Sequence, residues 1–443
     1  MKSAHTQSLE QHIQLFSLLR FTAPTMLMML AMGLYTITDT IFIARLVNTN
    51  ALSAVNIVCP VINGIVGLGT MLAAGGNAVI AHQLGAGQIQ KARANFSLLF
   101  FSEIFAGIGL LLLGFCLLEP LLYCLGASPL LYPDCRAYLS VLLLFTPASM
   151  LQIFFQNFFV TAGRPGLGMA LSLLAGACNI LLDYLFMAPC SMGIAGAALG
   201  TGISYCIPAL FGLRYFLDFH SKLQIVKPEW NLALLFQSCL NGSSEMVSQL
   251  ATAFTTFLLN HITLRLLGEN GVAAITIMIY SQFLLTALYL GFSMGTAPLI
   301  SYNLGANKPQ QLRNLLHLCF AIISVSSLLI FLFAQLAGSA LLKLFAATDS
   351  VVYQIAAVGF PIFSTAFLCC GVNIFISAAF TALSDGKHSA IVSFLRTFGF
   401  LTICLLTLPS LLGMRGVWLA VPLAEAATMV CALWLWNTYG AKK

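Results

Sequence analysis

Charge is what this sequence has least of. Only 7% of its 443 residues are Asp, Glu, Lys or Arg and 60% are hydrophobic, whereas soluble domains carry about 25% charged residues. A soluble chain of this length would need a charged exterior, so the solvent for most of this one is lipid. Long basic runs are missing too. The net charge of +6 includes no cluster longer than the pair Lys442 and Lys443, which leaves no footprint for nucleic acid. There is no GxxxxGK[ST] phosphate loop, since Gly386-Lys387-His388 lacks both the upstream glycine and the hydroxyl residue, and HExxH, GxSxG and paired Asp-rich motifs are absent. The chain therefore does not hydrolyse ATP by itself and carries no recognisable enzyme signature. Its thirteen cysteines form no CxxC pair, and those in apolar stretches, such as Cys178, Cys319 and Cys404, read as small buried hydrophobes. Cys124 and Cys135 flank one polar loop, and no role is assigned to them.

What the sequence does have is apolar length. Runs of about 20 residues or more, each able to cross ~30 Å of hydrocarbon, recur between short polar or Gly/Pro-marked breaks. Twelve are expected, at 15–44, 51–81, 94–118, 136–162, 167–188, 193–216, 232–264, 271–300, 314–342, 352–382, 388–412 and 416–438. The first is too long for a cleaved signal and reads as a retained span. Of the 19 Lys and Arg, only Arg45, Arg136, Arg265, Lys343 and Arg415 fall on one side. The other 14, among them Lys2, Arg396, Lys442 and Lys443, fall on the side holding both termini. The positive-inside bias makes that side cytoplasmic.

The chain also repeats itself. One fixed offset brings Leu84-Gly85-Ala86 onto Leu304-Gly305-Ala306, Gly75 onto Gly295, Thr161-Ala162 onto Thr381-Ala382 and Gly193 onto Gly413, a constant register that indicates duplication. Six spans per half is an even number, so both halves enter the membrane in the same direction. The expected fold is all-α: two parallel six-helix bundles, 1–216 and 232–443, joined by a cytoplasmic linker at 217–231. Such an arrangement suits a rocking carrier with a cavity between the bundles.

Five carboxylates fall at membrane depth: Asp39, Glu103, Asp183, Glu245 and Glu425. A charge there costs at least ~2.5 kcal/mol, so each must be paired, protonated or facing a wet cavity. No Lys or Arg is expected at the same depth to pair with them. Asp39 and Asp183 lie at one level near the outer ends of their spans. Asn179 is one turn from Asp183 on the same face, and Thr201 reaches a similar depth in span six. Their counterparts at the repeat offset are Leu259 for Asp39, Gly399 for Asn179, Ile403 for Asp183 and Val421 for Thr201. The scaffold was duplicated but this polar set was not, which favours a specific site over packing. Two carboxylates, an amide and a hydroxyl are hard ligands that suit Na⁺ or a proton. Tyr35, one turn before Asp39, borders the same site, and together with Met32, one of the span-one thioethers that adapt to differently shaped apolar ligands, it is a candidate for the substrate cavity. Glu245, with Gln249 and Gln282, is a candidate second coupling site or contact for a cationic substrate, against the plainer reading of a protonated, hydrogen-bonded helix contact, whereas Glu103 and Glu425 show no polar neighbours at helical spacing.

These residues resemble the multidrug and toxic compound extrusion (MATE) family: Asp39 in span one, Asn179-x-x-x-Asp183 in span five and Thr201 in span six. The segments Asp39-Thr40-Ile41-Phe42-Ile43-Ala44-Arg45-Leu46 and Gln83-Leu84-Gly85-Ala86-Gly87, echoed by Asn303-Leu304-Gly305-Ala306, match its recurring motifs. The resemblance implies a V-shaped antiporter of a bacterial inner membrane. It would export organic, often cationic compounds in exchange for H⁺ or Na⁺, with Asp39, Asn179, Asp183 and Thr201 at the ion site and no cofactor beyond that ion. A monomer with drug-like substrates and membrane lipid as partners is expected. Some relatives use a span-seven Glu with a span-ten Asp. This chain keeps Glu245 but offers only Asn373 in span ten. The rival readings are a lipid-linked oligosaccharide flippase, which calls for a cationic cavity, and a membrane enzyme, which calls for a nucleophile or a metal cluster.

Overall fold

The computed structural model describes residues 14–47, 49–218, 222–343 and 348–440; Lys2, Lys442 and Lys443, which contribute to the charge bias, lie outside them. The described chain is helical almost throughout. Without water, each backbone N–H and C=O has to be satisfied inside its own segment. Ten helices are long and apolar enough to cross a bilayer, and a bent pair adds an eleventh. One of the ten, Leu232–Gly305, runs 74 residues and is broken at Gly268, whose φ is 65°, so it holds spans seven and eight and the total is twelve. The others are Leu15–Val47, Ser53–Gly85, Ile89–Cys116, the bent pair, Pro165–Met187 and Gly193–Leu217 in the first half. Pro309–Lys343, Val351–Ala382, Gly386–Leu412 and Met414–Thr438 follow in the second.

Span four is not the straight helix that its hydropathy suggests. Tyr132–Leu144 and Thr146–Thr161 meet at 55° around Phe145, because Pro147 has no amide to continue the ladder and the chain tightens there, with Phe145 N donating to Leu142 O. Span ten tightens likewise into a short 3-10 turn, Ser364–Ala366, just after Pro361. Two π-helical turns, Ile43–Val47 and Leu395–Gly399, interrupt spans one and eleven. The cysteines at 124 and 135 do not pair: Cys124 is exposed, while the Cys135 thiol is buried against Ala54 O.

Inside each bundle, polar side chains bind helix to helix, as they do where lipid offers no competing partner. Asn95 donates to Gln83 at 3.0 Å, Gln156 to Ser172 at 2.9 Å, and Thr161 to Asn77. In the second half Ser301 donates to Ala382 O at 2.8 Å and Asn241 to Thr381 O at 3.2 Å. The segment between spans six and seven lies along span three, where Ser97 Oγ accepts from Val226 N and Arg93 Nε donates to Lys222 O.

The repeated Leu-Gly-Ala motif has a structural purpose. At the end of the molecule where the Lys- and Arg-rich loops lie, hereafter the basic end, spans two and eight cross. A Cβ on Gly85 would collide with Tyr302 O, and one on Gly305 would collide with His82 O. His82 and Tyr302 are themselves related by the repeat offset, so the two clashes are one contact seen twice across a pseudo-twofold axis. Farther in, Gly75 lies on Ser238 and Gly242 of span seven, and Gly295 on Thr22 and Thr25 of span one, again in the same register. Only glycine lets two backbones approach this closely, and the crossing holds spans two and eight together at the basic end. A Gly85→Val chain should therefore keep its helices but splay there. Spin labels at Gln88 and Lys308 should move apart by several ångströms, and an unchanged distance would refute the dependence of the crossing on Gly85.

Candidate ion and substrate site

In the half of the first bundle away from the basic end, Asp39 and Asp183 come within hydrogen-bonding reach of each other. Local sequence explains how. Asp183 is fully buried at the interface of spans five and six, and the position it needs exists because residue 200 is glycine, where a Cβ would strike Asp183 Oδ1. Gly176 on span five makes the matching recess for the Tyr35 ring. Asn179 Nδ2 donates to Thr201 Oγ1 at 3.3 Å, and Asn179 stands beside Asp183. The four residues singled out in the sequence thus meet in one place. Among the described residues, no donor completes a well-formed hydrogen bond to either oxygen of Asp183, to Asp39 Oδ1 or to Asn179 Oδ1, all of which are buried. Four buried acceptor atoms without donors are costly in a medium of low dielectric, and two carboxylates this close need a proton or a cation between them. Tyr138 and Tyr205, which the sequence reading missed, join Tyr35 in electrostatic range of the pair. Tyr205 follows Thr201 by one helical turn, and that spacing was the available signal.

Of the remaining candidates, Met32 lies one turn before Thr36, which donates to its carbonyl. Gln249 packs with Met246 against span two at Gly67, and Gln282 is half-buried on span eight with its carbonyl taken by Thr286. Glu245 makes no hydrogen bond among the described residues and lies in electrostatic range of Arg396.

Arg396 corrects two expectations. It was assigned to the basic side, and Glu425 was read as lacking polar neighbours. Arg396 lies ten residues into span eleven from its Gly386 start, about 15 Å along the helix, on the π-helical segment Leu395–Gly399. There its Nε donates to Glu425 Oε1 at 2.8 Å and its Nη2 to Cys370 Sγ at 3.2 Å. Glu425 Oε2 accepts from Asn373 at 2.7 Å. The arginine escaped notice because depth was counted for acids alone. Glu103 has no such partner: it is wholly buried and both its oxygens lack donors among the described residues.

The model of one transporter family, MatE, matches the chain twice, over residues 24–185 and 246–406. This chain belongs to the MatE family. The starts of its two matched segments, at 24 and 246, stand nearly one repeat offset apart. The multidrug export protein MepA of Staphylococcus saprophyticus is 24% identical over 98% of this chain and 95% of its own length. MepA of Staphylococcus aureus is 25% identical over 94% and 91%. Among solved structures, the MATE transporter VcmN of Vibrio cholerae superposes with a TM-score of 0.90 at 21% identity, covering 99% of this chain and 98% of its own. An outward-facing MATE transporter does so with 0.91 at 22%, covering 100% and 99%. The V-shaped, all-helical MATE architecture is therefore the fold of this membrane protein.

In this MATE chain the Arg396–Glu425 pair sits where desolvation makes an unpaired charge expensive. Replacing Arg396 by Leu alone should cost roughly 3–5 kcal/mol by stranding Glu425, whereas the double change Arg396→Leu with Glu425→Leu should recover most of that loss. Thermal unfolding in detergent reads both, and equal losses in the single and double variants would contradict a buried, mutually dependent pair.

Proposed function

We propose that this chain is a secondary antiporter. It exports organic, often cationic and lipophilic compounds against H⁺ or Na⁺, and Asp39, Asn179, Asp183 and Thr201 hold the coupling ion. The observation that carries this reading is the Asp39–Asp183 pair, whose buried oxygens lack donors and so are chemically ready for a small cation. A proton would bridge the carboxyls. Na⁺ would draw on the same carboxylates with Asn179 Oδ1 and Thr201 Oγ1 as neutral oxygen ligands. Ion occupancy changes the charge at the outer half of the first bundle, next to Tyr35 and Met32 on span one, and that span packs on span eight of the other bundle through Gly291 and Gly295. Binding is thereby linked to the inter-bundle contact. We take 1–216 and 232–443 as the two moving units, 217–231 as their linker, the basic end as cytoplasmic and both termini as lying there. The functional unit is one chain, it needs no resident cofactor, and its other partner is the lipid of a bacterial inner membrane.

A flippase for lipid-linked oligosaccharides is less well supported, since the guanidinium at depth is already taken by Glu425. The enzyme reading finds no cluster of three or more His, Cys, Asp or Glu able to hold a metal among the described residues.

The test is transport of a fluorescent lipophilic cation in proteoliposomes, driven separately by a Na⁺ and a pH gradient. Asp39→Asn and Asp183→Asn should each abolish gradient-driven export while inserting normally. Near-normal export by both would end the mechanism. Thr201→Val separates the ions: it should weaken Na⁺-driven export about tenfold by removing one oxygen ligand, and leave proton-driven export nearly intact.

A further inference from the structure

Spans one and eight, one from each bundle, touch along most of their length. Gly295 lies on Thr22 and Thr25, Gly291 on Met26, and Gly33 on Phe283 and Leu284. Farther along the same register, in the outer half, the Tyr280 hydroxyl of span eight comes within hydrogen-bonding reach of Thr40 on span one. From Thr22 to Thr40 the seam follows about 27 Å of helix, so it joins the bundles from the basic half up to the level of the acids. Thr40 directly follows Asp39. Its own hydroxyl proton goes to Thr36 O at 2.9 Å, which leaves Thr40 Oγ1 as the acceptor and Tyr280 as the donor. The other titratable group in electrostatic range of this tyrosine is Cys59 of span two, whose sulfur is a weak acceptor.

The repeat supplies a comparison. At the fixed offset Thr40 corresponds to Asn260 and Tyr280 to Pro60. The equivalent seam, between spans seven and two, keeps its close contacts, with Gly75 on Ser238 and Gly242 and Gly67 on Met246 and Gln249. It has no matching bond: proline brings no side-chain donor, and Asn260 Oδ1 is buried without a donor among the described residues. The seam was duplicated, but the tyrosine and threonine stand on the copy that carries Asp39. Packing alone would ask for the pair in both copies.

We infer that Tyr280 is a positioning residue for the coupled cycle: its bond to Thr40 latches the outer half of the seam while Asp39 and Asp183 hold their ion, and opens when they do not. The inference rests on the export reading for the ion and adds the residue that passes its presence to the other bundle. The physical link is short. Two carboxyls stay this close with a proton or cation between them and repel without it, and Thr40 moves with Asp39 because it is the next residue of the same helix. A hydrogen bond weakens steeply outside a narrow range of length and angle, so a shift of about 1 Å breaks it. A loaded pair thereby favours a closed outer seam and an empty pair an open one, the order that lets an exchanger carry its ion inward.

The test is the outer separation of the bundles in the full chain in nanodiscs. It is read between spin labels on non-canonical residues at Leu130 and Glu269, both exposed, so that the native cysteines stay. The wild type should be closed when the acids are loaded, at low pH or in saturating Na⁺, and more open at high pH without Na⁺. Under load, Tyr280→Phe should raise the ratio of open to closed distances about fivefold, the worth of one hydrogen bond between helices in lipid. Thr40→Val should do the same, the double variant should add nothing to either, and Thr40→Ser, which keeps the acceptor, should match the wild type. Without the ion all of them should coincide. A wild-type distance that ignores the ion, an unchanged ratio in Tyr280→Phe under load, or additive shifts in the double variant would overturn the latch. Equal shifts with and without the ion would overturn it too, because they mark a contact that only packs. Transport does not enter this measurement. A chain whose outer distance follows both Tyr280 and the ion, yet which exports no organic cation under either gradient, would remove the export reading and keep the latch.

Discussion

The absence of water along twelve spans is the constraint from which the rest of this molecule follows. It forces the backbone into helices, because no other continuous segment satisfies its own polar groups. It also forces each side-chain charge at depth to find a partner or to wait for one. Arg396, Glu425 and Asn373 are the first outcome, a network closed by protein atoms. Asp39 and Asp183 are the second, acceptors brought together with no donor.

The fold was legible because the bilayer reads sequence on a coarse scale. Span count and the internal repeat need only apolar length and a fixed register. What escaped was local: the 55° bend at Phe145, the two π turns and the break at Gly268. These depend on which backbone amides are missing or displaced, and Pro147 alone among them announces itself. Proline is common in membrane helices, so Pro24 and Pro298, both inside long helices, give the same signal without the same bend.

The candidate site was legible in its first half and misread in its second. Asp39, Asn179, Asp183 and Thr201 could be placed by helical rise because all four sit near span ends or share a face. The enabling glycine was not legible: Gly200 matters only once Asp183 Oδ1 is known to occupy the space of its absent Cβ. The comparison of repeats misled for a related reason. The second bundle does have a polar site, but at other register positions: Arg396 aligns with Gly176, and Glu425 with Tyr205. Looking for copies of Asp39 and Asp183 could not find a site built from different residues on the equivalent helices.

The same pairing of positions shows how the two halves of a duplicated scaffold diverged. Gly176 and Tyr205 border the first-bundle acids, and their counterparts Arg396 and Glu425 are the second-bundle ion pair. The same helices thus carry two acids without donors in one half and a closed ion pair in the other. The bundles meet through a contact that kept its symmetry, Gly85 on Tyr302 and Gly305 on His82, because backbones this close tolerate no side chain between them. Chemistry could diverge wherever side chains face the interior, while the crossing could not. A contact that kept its symmetry thus joins two halves whose interior charges have diverged.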